Sequence, residues 1–332
     1  MMFKVSSAAL TTALTFAAPS SAQAPPSAPR LALPIACVPG KTCEIQSYVD
    51  RDPGPGAQDY RCGPRTYDGH QGVDFRLLDM AAQRAGVSVL AAADGKVLRV
   101  RDGVADISIK DPAAPKVPNQ ECGNGLVIEH AGGLSTQYCH MALGSLRVKP
   151  GDAVKAGAPL GRVGLSGNTE FPHLHLTVRK NGVVVDPFAP ASGQAGQCGA
   201  GAGLWRPETA AALAYKERVV LNAGFTTGAV TMARLEAGGM APPSPLEGPM
   251  VAYVRAIGLR ARDVQTLKIV DPAGQVLVAT TADPLPRDQA QRLIYVGKPR
   301  PAAGWPKGRY LARYVVQREG RVVLERSFDI AL

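Results

Sequence analysis

Four of the five histidines fall in two clusters whose spacing can support chemistry. In His173-Leu174-His175 the imidazoles are two residues apart, and along a β-strand residues i and i+2 face the same way. The spacing predicts His173, His175 and Thr177 on one face, with Leu174, Leu176 and Val178 turned to a core. In His70-Gln71-Gly72-Val73-Asp74 the apolar alternation Val73, Phe75, Leu77 leaves Gly72 and Asp74 on the opposite face, and His70 reaches that side if the segment is extended. His70, Asp74 and one imidazole of the His-x-His pair supply two nitrogens and one carboxylate oxygen. That donor set suits a zinc ion with its fourth position open, the arrangement of catalytic zinc sites. Spacing alone leaves open which of His173 and His175 is the ligand. The remaining imidazole and His140, at the end of a strand expected over 135–140, are candidates to accept a proton and to steady an oxyanion. His130, between Glu129 and the turn Ala131-Gly132-Gly133, has no such partner and is expected at the surface.

Short strands must carry these residues. The sequence reads as β over 73–75, 87–90, 96–100, 126–130, 135–140 and 173–178, with Gly and Pro turns between. One helix is expected over 77–85 and a polar insertion loop over 102–121. Small residues over 191–203 mark a boundary. Beyond it the pattern predicts a helix over 208–220, then strands over 251–257, 265–270, 275–280, 309–317 and 321–330, with hairpin turns at 271–274 and 318–320. The expected fold is mainly β: a two-sheet β-sandwich-like domain over 37–190, a flexible linker over 191–203, and a helix plus a small antiparallel β-sandwich over 204–332. A chain of 332 residues is long enough for two cores. The C-terminal part holds no His and no Cys, so nothing in it marks chemistry.

Composition narrows the setting. Thirty-seven basic against 27 acidic residues give a net charge of +10, which favours anionic partners, but no dense basic tract or nucleic-acid motif is present. No apolar run is long enough to span a membrane. Lys4, the apolar stretch 8–18 and small residues at Ser20 and Ala22 predict a signal peptide over 1–22, followed by a Pro-rich linker over 23–36. Six cysteines with no Cys-x-x-Cys spacing point to disulfides in an exported chain, periplasmic or secreted. The expected pairs are Cys122 with Cys139, flanking a hairpin, and the nearby Cys37 with Cys43.

Taken together, these motifs carry a family resemblance. Gly69-His70-Gln71-Gly72-Val73-Asp74-Phe75, Gly123 to His130, Gln137-Tyr138-Cys139-His140, Val148 to Gly164, Pro172-His173-Leu174-His175 and Asp186-Pro187 occur in one order. The chain resembles the LytM/lysostaphin-type zinc metallopeptidases that cut peptide bonds in bacterial peptidoglycan. The resemblance implies one zinc ion per chain held by His70, Asp74 and His175, and a catalytic pair, His140 and His173. It also implies a site in a groove of a two-sheet β fold and peptidoglycan as substrate. With no SH3-like wall-targeting segment visible and a periplasmic setting expected, a D-alanyl to diamino-acid cross-link is the expected bond, glycyl bridges being the alternative. Three features depart from the usual pattern: a longer stretch between Asp74 and Ala91, the enlarged 101–121 loop, and Phe171-Pro172 in place of Gly-Pro before His-x-His. These bear on groove shape rather than on metal chemistry.

Two alternatives compete with that reading. A non-catalytic wall-binding or hydrolase-activating module is the first, and the complete set of ligand residues argues against it. A lipoyl- or biotinyl-carrier hairpin around Val148-Lys149-Pro150-Gly151 is the second, and it lacks the exposed lysine signature. The C-terminal domain is expected to bind wall or a protein partner, or to cover edge strands.

Overall fold

The computed structural model describes residues 1–2, 27–114, 118–190, 198–199, 203–244 and 246–332. All but the first two residues of the expected signal peptide, and most of the 191–203 linker, lie outside the described residues.

The chain is mainly β, built from antiparallel sheets. Its N-terminal unit contains β1 (Cys43–Ser47), β2 (Val73–Leu77), α1 (Met80–Ala85), β3 (Ser88–Leu90), β4 (Gly95–Arg101) and β5 (Asn124–Glu129). It continues through β6 (Leu134–Met141), β7 (Ala153–Val154), β8 (Pro159–Arg162), β9 (His173–Lys180) and β10 (Val183–Val184). One sheet runs in the order β1-β2-β9-β6-β5-β4-β7, with β10 on β9, and β3 pairs with β8 in a second small sheet. The helix starts later than the sequence suggested, because Leu77 still belongs to β2. The Asp79 side chain accepts from the Ala82 amide at 2.9 Å and so caps the N-terminus.

Leu31, Ile35, Val73, Phe75, Ile128 and Leu176, all essentially buried, share one core beneath the large sheet. Each such side chain contributes roughly 1.5–3 kcal/mol. Leu31 and Ile35 correct the reading of 23–36 as a linker. The Leu31 amide donates to Leu204 O at 2.8 Å, the Ala32 amide to Ala92 O at 2.7 Å, and Ile35 bridges Val89. Composition marked this stretch as Pro-rich, but Leu31 and Ile35 have a core to enter and Leu33 packs against it. The same core takes in Trp205 and Leu213, so the first residues after 203 pack with the N-terminal unit.

The C-terminal unit comprises α2 (Pro207–Ala212), β11 (Val219–Thr226), α3 (Met232–Ala237), β12 (Met250–Leu259), β13 (Val264–Val270), β14 (Val276–Thr281), β15 (Gln289–Lys298), β16 (Arg309–Arg318) and β17 (Arg321–Ala331). Sheets β11-β12-β15 and β14-β13-β16-β17 enclose a second core. Along β16, Tyr310, Ala312, Tyr314 and Val316 are buried while Arg309, Leu311 and Arg313 are exposed, the period-2 pattern of a half-buried strand. The helix expected to reach residue 220 stops at Ala212, since Val219 opens β11.

The two units meet across a buried polar seam. Arg76 of β2, fully buried, donates to Glu236 Oε2 at 2.7 Å, Gln46 Oε1 at 2.8 Å and Gln291 Oε1 at 3.1 Å. Arg255 of β12, equally buried, pairs with the same Glu236 carboxylate and donates to Leu78 O. Three disulfides join described residues: Cys37–Cys43, Cys122–Cys139 and Cys62–Cys198. The first two are the pairs expected from spacing. No helix among the described residues is long and apolar enough to cross a membrane.

Candidate metal centre

The apolar alternation of β9 orients the site. Leu174, Leu176 and Val178 are fully buried in the core, which turns His173, His175 and Thr177 to the other face. Antiparallel register then sets Asp74 of β2 opposite His175 on one side and Cys139 of β6 opposite it on the other. His140 needs more than register. Strict alternation after the inward Tyr138 would turn it into the core. Its backbone instead takes φ +59°, a left-handed conformation costly for a non-glycine residue. Its amide donates to Cys122 O at 2.8 Å, and its ring lies against that of His173 with centroids 4.6 Å apart.

Backbone carbonyls orient the rings. His70 Nδ1 donates to Tyr48 O at 2.6 Å, His140 Nδ1 to Ser166 O at 2.8 Å and His173 Nδ1 to Phe171 O at 2.9 Å, with Thr169 Oγ1 also 3.1 Å away. A carbonyl only accepts, so each of these Nδ1 atoms carries the proton and each Nε2 keeps its lone pair. His175 is turned the other way: its Nε2 meets Thr177 Oγ1 at 3.0 Å and its Nδ1 faces Asp74 Oδ1 at 2.9 Å. His70 Nε2 lies 3.1 Å from both Asp74 Oδ1 and His175 Nδ1. Three lone-pair atoms this close repel one another unless a proton or cation lies among them. Two imidazoles and a carboxylate are a donor set that zinc accepts, so these residues fit the metal that the sequence implied. His140, His173 and His175 form a second, overlapping group of converging nitrogens.

Electrostatics follow from burial. Asp74 is buried, which disfavours its charge, yet His70 and His173 hold its carboxyl well below the usual range. Burial opposes protonation of His70, but the Asp74 charge and the Tyr48 carbonyl outweigh it and raise the ring's pKa. Burial, reinforced by the charges of His173 and His175, pushes His140 well down. Burial likewise lowers His175. The cluster opens on a groove of about 320 Å³ lined by Tyr67, Glu121, His140, Asn168, His175 and Arg179, among others.

All five residues singled out from the sequence, His70, Asp74, His140, His173 and His175, thus lie within one cluster. The reading of His130 is corrected. It is 5% exposed, with Nδ1 at 2.8 Å from Asp94 O and Nε2 at 2.8 Å from Thr136 Oγ1, and it serves the sheet interior far from the cluster's hydrogen bonds. The orienting groups were not anticipated: three of them are carbonyls, which leave no mark on side-chain identity. Gly72 is a further one, since a Cβ there would collide with the His175 ring and the Leu176 carbonyl. A glycine between ligand-type residues was the available signal.

A sheet that gathers two imidazoles and a carboxylate beside two more imidazoles makes a candidate metal site. The sequence profile of peptidase family M23 matches residues 68–187, and this part of the chain belongs to that family, in its LytM-type form. The chain is 37% identical over 109 residues to the peptidoglycan DD-endopeptidase ShyB of Vibrio cholerae, covering 33% of this chain and 20% of that protein. It is 31% identical over 135 residues to the DD-carboxypeptidase/endopeptidase Mpg of Neisseria meningitidis, covering 40% of this chain and 25% of that protein. The matches therefore span a fifth to a quarter of these relatives' length. A crystal structure of a zinc containing peptidase from Vibrio cholerae aligns with 28% identity and a TM-score of 0.31, over 45% of this chain and 37% of that one.

Proposed function

We propose that the protein is an exported zinc-dependent endopeptidase that hydrolyses peptide cross-links of bacterial peptidoglycan. The observation that carries this reading is the mutual approach, within 3.1 Å, of His70 Nε2, Asp74 Oδ1 and His175 Nδ1, the two rings being oriented by Tyr48 O and Thr177 Oγ1. Membership of residues 68–187 in a peptidase family, and relatives named as peptidoglycan endopeptidases, support the reaction class. Three disulfides support an oxidising compartment, periplasmic or extracellular.

His70, Asp74 and His175 would hold the ion. When bound, zinc supplies Lewis acidity for a peptide carbonyl and makes water a better nucleophile. His140 is kept neutral by burial, and its Nε2, like that of His173, presents a lone pair able to take a proton from water. The ring that has taken the proton becomes a donor at both nitrogens. It can then steady negative charge on the peptide oxygen and return the proton to the leaving amine. Ser166 O and Phe171 O keep the two rings from turning during these transfers. A non-catalytic wall-binding or activating module remains the rival, and the presence of every ligand-type residue weighs against it.

The test is incubation of the zinc-loaded mature protein with purified sacculi, with and without chelator, followed by mass spectrometry of released muropeptides. Chelator-sensitive loss of cross-linked dimers is expected, and product masses identify the bond. No release from a protein carrying stoichiometric zinc would overturn the proposal.

A further inference from the structure

A second groove of about 370 Å³ adjoins the metal centre, sharing Cys122 and Gln137 with it. The sheet register explains its form. Thr177, which contacts His175, lies opposite Gln137; Gln137 lies opposite Val127; and Val127 lies opposite Arg99. One row of side chains therefore crosses four strands from the metal ligands to Arg99. At a strand spacing of about 4.8 Å the row is roughly 14 Å long, room for about four residues of extended peptide. Arg101 and Arg179 are each two residues along from this row, so they share its face. Arg101, opposite Gly125, flanks the row on the His175 side, and Arg179, opposite Ser135, on the other.

Two of these arginines are held in place. Arg101 Nε donates to Gly123 O at 2.6 Å and one Arg179 terminal nitrogen donates to Gln137 Oε1 at 2.8 Å, which leaves further N–H groups of each guanidinium for a ligand. Burial, and then the charge of Arg99, lower the pKa of Arg179, so the two cations sense each other across the groove. No Asp or Glu is among the described residues that line this second groove. Glu121 lines the adjoining groove with Arg179, and Glu129 shares the face of Val127, but Arg99 and Arg101 line a groove without a carboxylate, where an anion relieves the repulsion between like charges. The planar fork of a guanidinium matches a carboxylate in two parallel hydrogen bonds.

We propose that Arg99, Arg101 and Arg179 form a carboxylate-binding subsite that holds the free carboxyl groups of the substrate peptide while its scissile bond lies at the metal centre. This deepens the endopeptidase reading and rests on it. The subsite sets specificity: peptides with free carboxylates enter the groove, and amidated peptides lack the anchor.

Binding of a fluorescently labelled, uncross-linked wall tetrapeptide tests it, because that ligand has no cross-link to cut. Anisotropy titrations compare the free-acid peptide with its amidated form. The zinc-loaded wild type should bind the acid about tenfold or more tighter, and Arg99→Gln/Arg101→Gln/Arg179→Gln should bring the two forms within about twofold. An unchanged melting temperature would show the variant folded; should the triple variant not fold, the pair Arg99→Gln and Arg179→Gln, made singly, serves instead. Equal binding of acid and amide by the wild type, or discrimination that survives the substitutions, overturns the proposal. Sacculus digestion by the same preparation separates the two readings. Discrimination without digestion overturns the hydrolase and keeps the subsite, and digestion without discrimination does the reverse.

Discussion

The guanidinium of Arg76 stacks 3.9 Å from the centroid of the Phe171 ring, and it is the carbonyl of Phe171 that fixes His173 Nδ1. Phe171 stands where the resemblance led us to expect glycine, so this chain places an aromatic platform next to the His-x-His strand. Arg76 is in turn anchored by Glu236 of α3. A residue of the C-terminal unit therefore reaches His173 through three successive contacts. Arg76→Met keeps much of the apolar stem but removes the stack and the ion pair. It should lower kcat on wall substrate by about tenfold to a hundredfold, through misplacement of His173, with KM and zinc content little changed. A parallel fall in zinc content would assign Arg76 to general folding instead.

Glu236→Gln tests the seam itself. The carboxylate serves two fully buried guanidiniums, and removing one member of a buried ion pair costs on the order of 3–5 kcal/mol. Denaturant unfolding should show a loss approaching that size. A change under about 1 kcal/mol would place this seam with surface ion pairs.

The two histidines of the β9 pair should separate by metal analysis. His175→Ala removes the nitrogen facing Asp74 and His70 and should abolish stoichiometric zinc. His173→Ala should retain zinc while hydrolysis falls by roughly 10²–10⁴-fold. Full zinc in the His175 variant, or normal turnover in the His173 variant, would reverse the roles.

Gly72→Ala puts a methyl group into the space of the His175 ring. Moving a ligand in this way should weaken zinc binding by about 10–100-fold, the scale of other changes to groups that orient metal ligands. Competition with a chromogenic chelator measures it. Unaltered affinity would mean that the ring has another place to go.

His130 gives a pH prediction clear of the metal. Burial, partly opposed by the Asp94 carbonyl, pushes its pKa below 6.5. The unfolded chain then binds the proton more readily than the folded one, so stability is greatest above about pH 6.5 and declines as pH falls below it. Stability measured by denaturant unfolding at pH 7.5 and 5.5 should drop less in His130→Gln than in the wild type. Equal drops would remove His130 from the acid response.

Much of the site could be read from the sequence because period-2 alternation and cross-strand pairing are local rules. Leu174, Leu176 and Val178 announce which way His173 and His175 face, and Val73 and Phe75 do the same for Asp74. What escaped depends on backbone or distant partners. The outward turn of His140 comes from one left-handed residue. The burial of His130 depends on a carbonyl 36 residues away in sequence. Strand β15 was missed because most of its side chains are not buried and its alternation includes Gln289, Gln291 and Arg292. Leu31 and Ile35 were hidden among prolines, where composition outweighed two apolar side chains.

Leu31 and Trp205 pair side by side in a parallel bridge, so the stretch between them enters and leaves by a single doorway. A segment whose ends adjoin spans little distance between its first and last residue, the geometry of units inserted within a longer chain. Because the bridge is parallel, the chain ahead of Leu31 and the chain after Trp205 run away from it in opposite directions.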